Sequence, residues 1–217
     1  MSDTFYRDYA KDVYSQNGED GIIEEVFKRL DINEGYLCEF GCLDGISLSN
    51  TYNLFKNNSN FKTILIEGNE QDYRKMADNF SDYLHVKTIN NFVSSDPSSE
   101  FSLNNILTNI EDLTQENFKF LSIDVDGPDY EIWKNFTAFK PSVVLIEVNS
   151  TYPPEKEVYP CEPSGASAGI MVKLAKQKGY ELICHTGNLL FVDQSLFPKM
   201  DIIDNSLEKL FSYAWVK

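Results

Sequence analysis

"GYLCEFGCLDG", residues Gly35 to Gly45, runs a short apolar stretch into an acid and two glycines. An apolar run of this length bounded by turn residues reads as a buried strand. The glycines let the backbone turn tightly and approach a ligand closely. Glu39, Gly41 and Gly45 stand at E-x-G-x-x-x-G spacing. That differs from the dinucleotide fingerprint G-x-G-x-x-G, which cradles a pyrophosphate. An acid ahead of the first glycine suits a cationic amine better than a phosphate.

The same alternation continues on both sides. Upstream, "GIIEEVFKRL" (21–30) places Ile22, Ile23, Val26, Phe27 and Leu30 at helical spacing, with acids early and Lys28 and Arg29 late. It closes an N-terminal helical segment, 1–30. Downstream, "SNTYNLFKNN" (49–58) reads as a helix, "KTILIEGN" (62–69) as a strand and "QDYRKMADNF" (71–80) as a helix. "HVKTINNFVS" (85–94) reads as a third strand, "SLNNILTNI" (102–110) as a short helix and "FKFLSIDVDG" (118–127) as a fourth strand. "DYEIWKNF" (129–136) is a helix and "PSVVLIEVNS" (141–150) a fifth strand. A long proline-rich loop follows, 151–168, of the kind that forms lids and binding walls. "AGIMVKLAKQKGY" (168–180) is a helix capped by Gly179, and "YELICHTGNLLFVD" (180–193) a hairpin about Thr186-Gly187-Asn188.

Strands alternating with helices predict one α/β domain, 1–217, with a mainly parallel, doubly wound sheet. The closing hairpin adds an antiparallel strand. Ligands of such sheets sit outside the carboxyl ends of the strands, so the residues there carry the functional reading. Glu67, after the second strand, stands where an acid accepts hydrogen bonds from ribose hydroxyls in nucleotide-binding sheets. Asp124 and Asp126 follow the fourth strand, Glu147 and Asn149 the fifth. Strand alternation puts each pair on one face. Oxygen groups in that number repel unless protonated, hydrogen-bonded or bridged, and they suit magnesium or manganese.

The ordered set "SQNGED" (15–20), "EFGCLDGISLSNT" (39–51), "ILIEGNE" (64–70), "LSIDVDGPDYEIW" (121–133) and "LIEVNS" (145–150) resembles the FkbM-like branch of class I S-adenosylmethionine-dependent methyltransferases. The resemblance spans residues 14–192. It implies a Rossmann-like class I methyltransferase fold with a seven-stranded sheet and helices on both faces. It implies an O-methyltransferase acting on a hydroxyl of a sugar or glycan, with a divalent metal, Mg2+ or Mn2+, as an assistant. The methyl donor would be held by Gln16, Glu39, Gly41, Gly45, Asn50, Glu67, Asn91 and Asp124. Asp124 and Asp126 would be catalytic, and Asp124, Glu147 and Asn149 would bind the metal. Tyr130 and Tyr152 offer rings that stack on sugars, and His185 in the hairpin completes the acceptor set.

Composition narrows the partners. There are 19 Lys and Arg against 34 Asp and Glu, a formal net charge of -15, which repels nucleic acid and anionic membranes. Nothing in 1–15 reads as a signal peptide, and no apolar run reaches the ~20 residues needed to span a bilayer. Cys38, Cys42, Cys161 and Cys184 match no common zinc spacing and are expected to be reduced in a cytoplasmic protein. Two other classes share such a sheet. A nicotinamide-dependent oxidoreductase lacks support, with no G-x-G-x-x-G and no evident Tyr-x-x-x-Lys pair. A non-catalytic nucleoside-binding module would have no use for converging carboxylates.

Overall fold

The computed structural model describes residues 6–160 and 165–215. Its centre is a seven-stranded sheet in the order β3-β2-β1-β4-β5-β7-β6. The strands are β1 Gly35–Phe40, β2 Phe61–Glu67, β3 Val86–Asn90, β4 Phe118–Ile123, β5 Val143–Glu147, β6 Tyr180–His185 and β7 Asn188–Asp193. Pairings from β3 through β5 are parallel, and β7 runs antiparallel between β5 and β6. The chain therefore winds outward twice from β1, and the strand order reverses between β1 and β4. This is the predicted mainly parallel sheet with its antiparallel C-terminal hairpin.

The helices are α1 Glu19–Leu30, α2 Tyr52–Phe55, α3 Glu70–Asn79, α4 Leu103–Thr108, α5 Asp129–Asn135, α6 Ala168–Gln177 and α7 Leu207–Leu210. They cover both faces, because alternate side chains of each strand point to opposite sides. Cys38, Phe40, Ile64 and Ile66 pack with Leu107, Trp133 and Met171 of α4, α5 and α6. Leu37 and Leu65 pack on the other face with Ile23 and Phe27 of α1, Phe55 of α2 and Met76 of α3. In β4 the register against β1 shifts between Tyr36 and Leu37. The shift sends Phe118 to one face and Phe120 to the other, as an inserted residue in a strand does. Trp133 is fully buried at the centre of the first cluster, so it serves packing.

Several elements stop short of their sequence pattern. β4 ends at Ile123 and β5 at Glu147, where the chain leaves the sheet. The expected helix 49–58 shrinks to α2, because Ser49, Asn50 and Thr51 spend their donors on Glu39. β3 ends at Asn90, whose side chain and the next amide both donate to the Glu67 carbonyl. The hairpin turn is as expected, with Gly187 at φ 108, and Gly179 ends α6 at φ 76. Cys38, Cys42 and Cys184 are free and buried; Cys161 lies outside the described residues, as do 162–164 of the long loop. Among the described residues no helix is long and apolar enough to cross a membrane.

Candidate functional site

A cavity of about 650 Å³ opens where β1, β4, β5 and the β6–β7 turn end. Its walls come from the loop after β1, the loops after β4 and β5, the segment before α1 and the hairpin turn.

The β1 side is built around Glu39. Its carboxylate is 3% exposed and accepts from Ser49 Oγ at 2.7 Å, the Asn50 amide at 2.8 Å and Thr51 Oγ1. Burial pushes the Glu39 carboxyl above its ordinary range, and those donors hold it back. The acid thereby folds the loop into a wall, on which Asn50 also stands, its Nδ2 donating to Ser122 Oγ at 3.3 Å. Gly41 has φ 74, and a Cβ there would lie 1.7 Å from the Asp124 carbonyl oxygen. Only glycine permits this approach of the β1 and β4 loops. Gly45 faces the interior instead: its missing Cβ would meet Phe80 at 2.5 Å. Leu43 and Leu48, with φ 52 and 61, present exposed side chains to the cavity.

Glu67 stands behind this wall. Its oxygens accept from the Leu43 amide at 2.8 Å and the Asn69 amide at 2.7 Å, and it does not line the cavity. Asn91 also lies off the cavity, its amide donating to the Glu67 carbonyl at 3.0 Å. Gln16 and Asn17 line the opposite side. Buried Glu19 holds that segment, accepting from the Asn17 amide and from Thr186 Oγ1, each at 2.8 Å.

The β4 and β5 acids converge, but by a turn and not by strand alternation. Beyond Ile123 the chain bends, and Asp126 takes a left-handed φ of 54. Asp129 makes the bend: its carboxylate accepts from the Val125 and Gly127 amides, both at 2.9 Å. The result brings one oxygen each of Asp124, Asp126 and Glu147 within 4.8 Å of one another. Asp124 and Glu147 are half-buried and Asp126 is exposed. Like charges this close repel by about 3 kcal/mol per pair at an effective dielectric of ~20, before screening by water. Burial first, then the neighbouring acids, push the Asp124 and Glu147 carboxyls well above the ordinary range. Asn149 also lines the cavity, and its Oδ1 accepts from the Thr151 amide at 3.1 Å and from Thr151 Oγ1 at 2.5 Å. The described lining residues include five acids and no Lys or Arg.

The expected acceptor residues do not line this cavity. Tyr130 is nearly buried on α5 and meets Tyr159 edge-on at 6.1 Å. Tyr152 lies at the start of the long loop, its amide donating to the Asn149 carbonyl at 3.4 Å. His185 is fully buried, stacked on Phe211 at 4.3 Å, and burial lowers its pKa to about 4. Ser150, Gly187 and Asn188, which motif reading passed over, line the wall that His185 supports. The hairpin signal at Thr186-Gly187-Asn188 marked the turn without marking it as a wall.

No family model matches the chain, and no curated protein matches it. Its fold is similar to those of solved methyltransferases. A putative caffeoyl-CoA O-methyltransferase from Staphylococcus aureus is 16% identical, covering 85% of each chain at a TM-score of 0.52. The CurJ carbon methyltransferase is 9% identical over 83% of this chain and 56% of its own, with TM-score 0.52. A putative RNA methyltransferase from Pyrococcus horikoshii is 11% identical over 81% and 83%, with TM-score 0.50. The class defined by the fold is thus Rossmann-like, with methyltransferases as its structural neighbours. Their named acceptors span oxygen, carbon and RNA, so the fold leaves the acceptor open.

Proposed function

We propose that the chain is an S-adenosylmethionine-dependent O-methyltransferase of the FkbM-like kind, acting on a hydroxyl of a sugar or glycan. The observation that carries the reading is the single cavity into which Glu39, Gly41, Asp124 and Glu147 are all brought. The fit to the donor rests on two features. Gly41 lets the loops after β1 and β4 close into one wall, where a Cβ would strike the Asp124 carbonyl oxygen, and the described wall has acids with no Lys or Arg, which suits a ligand with an ammonium and a sulfonium. Gln16, Glu39, Gly41, Asn50 and Asp124 would hold the donor. Gly45, Glu67 and Asn91 support this from behind, by fixing the loops after β1 and β3.

S-adenosylmethionine supplies a methyl group already activated on its sulfonium. What remains for the chain is alignment and management of the acceptor proton. Asp124 and Asp126 line the cavity wall and would hold the acceptor hydroxyl and take its proton. Oxygens within 4.8 Å of one another also fit a hard divalent ion. Asp124, Asp126 and Glu147 would hold it, and a bound cation lowers the pKa of a hydroxyl. Asn149 borders that set while its Oδ1 serves Thr151.

The test is methyl transfer from labelled S-adenosylmethionine to a panel of neutral glycans. Asp124→Ala is expected to lose about 10²-fold or more of the rate, the usual worth of a positioned proton acceptor, while its circular dichroism stays native. Full activity in that variant would make the acidic turn structural.

A further inference from the structure

The wall on the β5 and hairpin side has a fixed hydrogen-bond polarity, set from inside the protein. Ser212 donates its amide to His185 Nδ1 at 2.9 Å. Nδ1 must therefore be an acceptor, so the neutral ring carries its proton on Nε2. Nε2 lies 2.7 Å from Ser150 Oγ and donates to it. Ser150 Oγ in turn lies 2.6 Å from the Gly187 carbonyl oxygen. A carbonyl only accepts, so the single hydroxyl hydrogen of Ser150 is committed there. A hydroxyl oxygen has two lone pairs; one takes the His185 proton, and one is left.

Ser150 lines the cavity, so a ligand meeting its hydroxyl finds only an acceptor. The described lining offers no Lys or Arg to pair with an anion on the acceptor. An acceptor's carboxylate or phosphate at the Ser150 hydroxyl would face a group with no proton left to give.

We propose that Ser150 reads the acceptor substrate by accepting a hydrogen bond from it. The substrate class is then a sugar that presents hydroxyl or amino groups at this wall and carries no carboxylate or phosphate there. His185 is a positioning residue, acting through Ser150. The proposal rests on the methyltransferase reading, and deepens it from "a sugar or glycan" to a neutral or amino sugar.

The experiment has two stages. S-adenosylhomocysteine is first titrated into the protein by calorimetry; absence of binding removes the methyltransferase reading and this inference with it. The complex is then titrated, with chelator present to keep the acids free of metal, with glucose, glucosamine, glucuronate and glucose 6-phosphate, observed by ligand-detected NMR. Glucose and glucosamine are expected to bind about tenfold or more tightly than the two anionic sugars, a factor of the size set by one buried hydrogen bond gained against one left unmade. Ser150→Ala is expected to lose about fivefold or more of the glucosamine affinity while S-adenosylhomocysteine binding is kept. With the cofactor product bound, failure of glucosamine to bind, or anionic sugars binding as tightly, overturns the proposal and leaves the methyltransferase reading standing. The wild-type panel decides this even if the variant folds poorly.

Discussion

Gly41→Ala probes the junction on which the cavity depends. The new Cβ would lie 1.7 Å from the Asp124 carbonyl oxygen and 2.8 Å from its carbonyl carbon. Both are backbone atoms, so no side chain can swing away. The residue would also hold φ 74, which costs about 1–2 kcal/mol for a side chain with a Cβ. Forcing extra volume into a packed site costs about 1–3 kcal/mol more. The total, about 2–5 kcal/mol, corresponds to a fall in Tm of about 5–20 °C for a domain of this size. Gly165→Ala is the matched control: it has φ 64, and its nearest neighbour is the Asn149 amide nitrogen at 4.0 Å. It carries the backbone strain alone and should fall by about 2–8 °C. Differential scanning calorimetry of the two variants beside the wild type reads the difference. Equal melting temperatures for the two would refute the claim that the β1 and β4 loops touch through Gly41.

Two further predictions concern the acidic turn. Asp124 and Glu147 have raised carboxyl pKa values, so the folded state binds protons more strongly than the unfolded chain. Their effect on stability is therefore favourable near pH 4 and is lost as pH rises toward their folded values. Asp124→Asn should flatten the fall of Tm between pH 5 and 8.5 and raise Tm at pH 8; an unchanged slope would contradict the burial and repulsion described. Mn2+ at a hundredfold excess over its Kd should stabilise the wild type by about 2.7 kcal/mol, roughly 5–10 °C, reversed by chelator and absent in Glu147→Gln. No shift at millimolar Mn2+ would remove metal from the mechanism.

The sheet was legible because buried strands write themselves as apolar runs. In "KTILIEGN" every strand residue from Thr63 to Glu67 is buried, and in "PSVVLIEVNS" every one from Val143 to Ile146. Glu39, Gly41 and Asp124 were legible as wall residues because they stand where such strands end. What pattern could not show was where each carboxylate spends its lone pairs. Glu67 looks free to take a ligand, yet its oxygens serve the Leu43 and Asn69 amides. Asp124 and Asp126 do approach one another, but alternation stops mattering once β4 ends at Ile123, and Asp129 with a left-handed Asp126 does the work. His185 carries a chemically suggestive side chain, and the long-range bonds to Ser150 and Ser212 that bury its function inside the wall have no local signature. Ser150, an ordinary serine in sequence, gains its role only from those partners.

The proposed methyl transfer requires that the crevice at the strand ends bind a sulfonium nucleoside. Isothermal titration of the intact protein with S-adenosylhomocysteine, and separately with NADH, decides whether it does. One site per chain is expected for the first ligand, weakened in Gly41→Ala, with no heat from the second. NADH binding, or silence with S-adenosylhomocysteine in a protein that melts cooperatively, would contradict it.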